Sequence, residues 1–250
     1  MTSEPDSSSD GTPRALGSQA LVSVLVAAYD EEATIAGVLE QVSGLGLNAE
    51  LIVVDDGSSD GTPEILRRLE QDGGIPGLRV IAHPANRGKG AAIRTAIDAS
   101  RGDVVVIQDA DGEYDPADLP RVLAPIMSGH ADAVYGTRLR GGQPQRAHLF
   151  WHYAGNRFLS LLTNVLYNTT ISDMEVGHKA FRGELIRSLP LVSEGFSFEP
   201  EVTAKVLLKG VRLYEVPVSY FGRTYEEGKK ITWRDGVIAV WTLLRYRVGL

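Results

Sequence analysis

The 250-residue chain has no cysteine. That excludes a disulfide framework, a thiolate zinc site and a cysteine nucleophile. Nothing in the sequence requires an oxidising compartment. It also has no window of eighteen uninterrupted apolar residues, so no membrane-spanning helix is expected. The nearest candidate, LFWHYAGNRFLSLLTNVLY, is broken by His152, Asn156, Arg157 and Asn164. The first twenty residues, MTSEPDSSSDGTPRALGSQA, lack the apolar core of a signal peptide and read as a disordered tail. No G-x-G-x-x-G follows the first strand, which argues against a dinucleotide-binding dehydrogenase. An excess of positive charge is missing too. The formal net charge of −7 argues against a nucleic-acid partner.

What is present is an ordinary globular composition, 43% hydrophobic, enough for a core. The charge is unevenly spread. Residues 1–133 hold 9 basic and 22 acidic residues, a net of −13, and residues 134–250 hold 16 basic and 10 acidic, a net of +6. An acidic tail accounts for part of this. The sharper reading is a cation-collecting half beside an anion-collecting half.

LVSVLVAAY (Leu21–Tyr29) is a continuous apolar run that fits a strand buried on both faces. A helical pattern covers Thr34 to Val42. The plan repeats in AELIVVDDGSSDGT, then LRVIAHP, GKGAAIRTAIDAS and DVVVIQDAD. Strand alternating with helix implies an α/β fold, Rossmann-like, with a mostly parallel central sheet and helices on both faces. A helix over Ala117–Met127, a strand in ADAVYGTR and helices over 148–168 and Glu199–Lys209 follow. VRLYEVPVSYF reads as an edge strand because of Pro217. The last twenty residues are amphipathic, with Trp233, Val237, Trp241, Leu244 and Val248 at helical spacing. No second linker is visible, so residues 21–250 are expected to form one domain behind a tail of residues 1–20.

Three acidic groups fall just after predicted strands: Asp30–Glu32, Asp55–Asp56 and Asp109–Asp111. Ligands of open α/β sheets bind at such strand ends. Any one group could cap a helix, as expected of Asp60, Asp115 and Asp118, or lie in solvent. Three converging groups are harder to explain in that way. Asp109 and Asp111 flank a small alanine, Ala110, so a tight turn brings both carboxylates towards one point. Like charges there raise each other's pKa unless a cation sits between them. Mg²⁺ or Mn²⁺ prefers oxygen ligands and commonly bridges carboxylate to phosphate.

The segments VSVLVAAYDEE, LIVVDDGSSDGT, NRGKGAAIRTAIDASRGDVVVIQDADGEYDP and YGTRLRGG follow one another as in family 2 glycosyltransferases of GT-A fold. The chain most resembles the dolichyl- or polyprenyl-phosphate mannose and glucose synthases, over about residues 21–235. The resemblance implies that Ala27, Tyr29 and Glu31 line a nucleotide site, with Asp55 or Asp56 at the base or ribose. It implies Asp109 and Ala110 beside the ribose and Asp109, Asp111 and Glu113 at the metal. Lys89 would neutralise diphosphate. Ala27 stands where relatives often carry proline, and Glu113 where many carry glutamine.

On the acceptor side the resemblance implies Arg138, Lys179, Arg223 and Lys229 as phosphate-binding cations, with Arg140, Arg182 and Lys230 nearby. Asp111, Arg138, Asp173 and Arg223 are the catalytic candidates. His148 and His152 occupy positions where mannose-specific relatives often have Arg and Ser, which leaves the donor sugar open. His152 could still donate to phosphate.

The implied activity is inverting, metal-dependent transfer of a hexose from a nucleotide-diphosphate sugar to a polyprenyl or dolichyl phosphate. A phosphate acceptor is already ionised, whereas a hydroxyl acceptor would need a base such as Asp173 or Glu175. A soluble sugar, glycerate or natural-product acceptor is the alternative, and a non-catalytic nucleotide-sugar-binding module is the rival from another class. The apolar helix near 150–167 and the C-terminal helix suit either a membrane surface or packing and homodimer formation. The expected location is cytoplasmic, soluble or peripheral at the membrane face.

Overall fold

A computed structural model describes residues 15–17, 19–144, 146, 150–223 and 233–249. Seven strands form one sheet: β1 (Val22–Ala28), β2 (Ala49–Asp55), β3 (Leu78–Ala82), β4 (Val104–Ile107), β5 (Ala133–Thr137), β6 (Lys179–Arg182) and β7 (Leu213–Pro217). Their spatial order is β3-β2-β1-β4-β6-β5-β7. All neighbours pair in parallel except β6, which runs antiparallel to both β4 and β5. Consecutive side chains of a strand point to opposite faces. Val24, Leu25 and Val26 are all buried, so β1 is covered on both sides.

The helices are α1 (Ile35–Gly44), α2 (Thr62–Asp72), α3 (Lys89–Ala99), α4 (Leu119–Met127), α5 (Phe150–Tyr167), α6 (Gly183–Arg187), α7 (Phe198–Leu208) and α8 (Trp233–Val248). One large core surrounds the sheet, and a smaller one joins Leu159, Ile171, Met174, Ala239 and Leu243 between α5 and α8. Tyr167 and Tyr246 lock this second layer, donating to Leu243 O and to Glu201 Oε1, each over 2.7 Å. Among the described residues no helix is long and apolar enough to cross a membrane.

Most predicted elements are present, and Pro217 does end the edge strand β7. Three differences carry physical content. Strand β6 and the short helix α6 after it have no counterpart among the predicted elements; only Ala180 and Phe181 give the strand an apolar signature. Asp118 is neither a side-chain cap nor solvated. It is buried, ion-paired to Arg121 and accepts from Ser219 N over 2.6 Å, tying the turn after β4 to the chain beyond β7. Asp60 and Asp115 do act at helical starts, accepting from Thr62 N and Ala117 N. Of the expected tail, Leu16 donates to Met127 O over 2.9 Å and Ala20 is buried, so packing begins before residue 21.

The strand registers matter most for the site. Ala28 pairs with Asp55 and Leu25 with Ile107, so β1, β2 and β4 end along one edge of the sheet. Tyr29–Glu31, Asp55–Asp56 and Asp109–Asp111 leave that edge together.

Candidate functional site

The edge opens into a cleft of about 1010 Å³. Its walls include Ala27 and Ala28 at the end of β1 and Tyr29 after it, Asp56 after β2, and Asp109, Ala110, Asp111 and Glu113 after β4. The small residues Ala27, Ala28 and Ala110 leave the backbone open to an approaching group. The lining also includes Arg138, Trp151, His152, Glu175, Phe196, Glu199 and Arg223.

The turn after β4 is held by a buried polar network. Gln108 donates to Asp109 O and Tyr114 O, and its Oε1 pairs with His178 Nε2 over 2.8 Å. Tyr114 OH accepts from Gly177 N over 3.0 Å. Gly177 is required here because a Cβ would fall 2.2 Å from Asp109 Oδ2. Burial lowers the His178 pKa to about 4, so at neutral pH it is an uncharged hydrogen-bonding piece of the scaffold.

Lys89 opens α3 and reaches Asp109 Oδ1 over 2.7 Å and Glu199 Oε1 over 3.4 Å. Burial alone would lower its pKa, but Asp109 and Glu199 raise it, so the ammonium stays charged. Asp109 is the converse case. Burial would raise its pKa, and Lys89 holds it below the usual carboxylate range. Asp56 prepares the loop that delivers Lys89. Its carboxylate accepts from Gly88 N over 2.7 Å and from Arg87 N, and contacts His83 Nδ1 over 2.6 Å. Asp55 does not line the cleft; it is buried and accepts from Ser58 N.

Asp111 has no such pairing. Burial, then Asp109 and Glu113, push its pKa up to about 7, and Arg223 Nη2 stands 4.0 Å away. A cation beside Asp111 would reverse that upward shift. Two cleft-facing carboxylates are the oxygen donors that Mg²⁺ or Mn²⁺ accepts, with substrate phosphate completing the shell. The residues therefore fit a divalent ion at Asp109 and Asp111. They do not form a ready cage: among the described residues no three His, Asp or Glu gather at one point. Glu113 is not brought in as a third ligand. Its two oxygens accept from Tyr220 OH over 2.7 Å and Arg223 N over 2.6 Å.

Arg223 is a tie between segments. It donates to Asp111 O over 2.6 Å and to Glu31 Oε2 over 2.8 Å, linking the first turn to the turn after β4. Arg138, after β5, is held by Asp173 through Nε and Nη2, each over 2.7 Å, and stacks over the Tyr220 ring at 4.9 Å. Its Nη1 has no protein partner among the described residues, which leaves a donor for an anion. Asp173 spends both oxygens on Arg138, so it is a positioning group and not an available base. Burial would raise its pKa, but Arg138 holds it down.

Lys179 is not brought to the acceptor wall. It is fully buried in β6 and donates to Met174 O, Val176 O and Glu199 Oε2. Arg182, also in β6, pairs with Asp132, and Arg140 pairs with Glu215 over 3.0 Å, outside the cleft wall. Lys229, Lys230 and His148 lie outside the described residues. His152 does line the cleft, from the first turn of α5.

The sequence reading missed Glu199. It is 4% exposed yet reaches Lys89 and Lys179, so it joins the site to the core beneath. Two glutamates, Glu199 and Glu201, in a mostly apolar helix were the available signal, since buried carboxylates need partners. Tyr114, Tyr220 and Phe196 were also missed; aromatic residues in loops carry no pattern that separates lining from core.

A family model described as "Glycosyl transferase family 2" matches residues 23–189. A dolichyl-phosphate hexose transferase of Haloferax volcanii is 31% identical over 82% of this chain and 85% of its own. An undecaprenyl-phosphate mannosyltransferase of Micrococcus luteus is 29% identical over 92% of this chain and 99% of its own. The chain spans only 63% and 49% of two further Haloferax volcanii glycosyltransferases that it matches. Among solved structures, the glucosyl-3-phosphoglycerate synthase of Mycobacterium tuberculosis, crystallised with Mn²⁺ and UDP-glucose, superposes with a TM-score of 0.71 at 23% identity. That superposition covers 92% of this chain and 80% of the other.

Proposed function

The chain belongs to glycosyl transferase family 2, and from that membership and the cleft's geometry we propose that it moves a hexose from a nucleotide-diphosphate sugar to a polyprenyl phosphate. One observation carries this reading. Asp109, Asp111 and Lys89 form one pole of a single cleft, and Arg138, with its spare Nη1, lines the same cleft as a second cationic pole. The first pole suits a diphosphate with its counter-ion and the second a phosphate monoester.

The nucleoside sits against Ala27, Tyr29 and Glu31, with Asp56 holding the neighbouring loop. Lys89 meets the diphosphate. Asp109 and Asp111 would hold the Mg²⁺ or Mn²⁺, which supplies charge neutralisation for the departing diphosphate. An acceptor phosphate oxygen attacks the anomeric carbon, and the bond to the diphosphate oxygen breaks with its electron pair. One C–O bond forms and one breaks, with inversion. No proton moves, because the acceptor oxygen is already anionic. Arg138, fixed by Asp173, orients that oxygen, and His152 stands beside it.

The lipid reading draws on the relatives above and on the surface beside the cleft. Trp151, 81% exposed, and Phe158 on α5, with Trp241 on α8, present large apolar side chains outward. Peripheral contact with a membrane surface would cover them and bring a lipid phosphate to Arg138. The test is incubation with Mn²⁺, undecaprenyl phosphate and radiolabelled UDP-glucose or GDP-mannose, followed by butanol partition. Label in the organic phase is expected. Label released only as free sugar, or passed only to water-soluble acceptors, overturns the lipid assignment.

A further inference from the structure

We infer that Glu175 is the residue that reads the hydroxyl groups of the transferred hexose. This role rests on the nucleotide-sugar reading above. Glu175 lies in the cleft wall between β5 and β6 along the chain. Neither of its carboxyl oxygens has a hydrogen-bond partner among the described residues, and Oε1 is sealed from solvent. Leaving such a group unpaired is costly, so a polar partner is expected to arrive with the ligand.

The nearby cations are already committed. Lys179 serves Glu199 and two backbone carbonyls, Lys89 serves Asp109 and Glu199, and Arg138 serves Asp173, its spare Nη1 being the donor assigned above to the acceptor phosphate. The missing partner is therefore a neutral polar group. Burial, then Glu199, push the Glu175 carboxyl up to about 7. Near neutral pH it both donates and accepts, as a sugar hydroxyl does. Position supports the same ligand. Glu175 lines the same cleft as Arg138 and as Glu199, which holds Lys89, and both act on its charge. The hexose must lie between the diphosphate and acceptor poles, because its anomeric carbon bonds to each in turn. Sites that hydrogen-bond a hydroxyl discriminate strongly against a ligand that misplaces it.

The experiment is calorimetric titration of wild type, Glu175→Gln and Glu175→Ala with UDP, GDP, UDP-glucose and GDP-mannose, all with Mn²⁺. The expected result is an unchanged Kd for the bare nucleotide in both variants. The preferred nucleotide-sugar should weaken by about tenfold or more in Glu175→Ala, and less in Glu175→Gln, which keeps one donor and one acceptor. Equal weakening of bare nucleotide and nucleotide-sugar, with a lowered Tm, would make Glu175 a scaffold residue and overturn the inference. Unchanged nucleotide-sugar binding with lost turnover would make it a proton acceptor and overturn it as well. If wild type binds none of the four, the nucleotide-sugar reading itself fails and takes this role with it.

Discussion

Single residues in this protein act through pairs. Asp173 and Arg138 are 0% and 10% exposed, so each neutralises the other where water cannot. Removing one strands a buried charge. Asp173→Ala should therefore lower unfolding free energy by about 3–5 kcal/mol, measured by urea denaturation. Asp111 is the opposite case, a carboxylate with only a backbone donor and a more distant Arg223 for partners, and suited to a metal. Asp111→Asn should cut Mn²⁺-dependent transfer by roughly a hundredfold or more in an initial-rate assay, with Tm held or raised. The aspartates were legible in the sequence because acidic residues after buried strands have few structural uses. Lys179 was misread because a lysine in a motif looks exposed, and only the structure shows Glu199 beneath it.

At the scale of elements, the loop that enters α3 is the most constrained. Gly88 has φ 95°, and a Cβ there would lie 2.5 Å from Glu194 O. Gly88→Ala should displace Lys89, costing about 1–3 kcal/mol in stability and weakening binding of nucleotide with Mn²⁺ in the same titration. Helices α5 and α8 are stabilised by the small core between them, yet Phe158 and Trp241 face outward. If that face meets lipid, Phe158→Ser with Trp241→Ser should reduce co-sedimentation with anionic vesicles at least tenfold, since each large apolar side chain contributes about 1.5–3 kcal/mol on burial. Unchanged sedimentation would assign the face to protein packing.

For the whole molecule, stability should follow ligand and pH. Nucleotide-sugar with Mn²⁺ at a hundred times Kd should add about 2.7 kcal/mol, read as a rise in Tm. Glu175 contributes to the pH effect alongside Asp111; its folded pKa of about 7 lies above its ordinary value of 4.5. The folded chain then holds a proton that the unfolded chain has released. That stabilisation is complete in acid and disappears as pH rises through 7. Glu175→Gln should flatten this part of the profile, seen as urea midpoints that change less between about pH 5 and pH 8.

The chain's own pattern was enough for the α/β plan, the strand-end aspartates and the family. Apolar runs long enough to be buried on both faces, broken by acidic turns, permit few other arrangements. Tertiary structure decided which of the charged residues face the cleft. It turned β6 antiparallel, buried Lys179, spent Asp173 on Arg138, used Glu113 to hold Arg223, and brought Glu199 under Lys89. Those outcomes depend on which charges become neighbours after folding, and pairing across 20 to 110 residues leaves no local trace in the sequence.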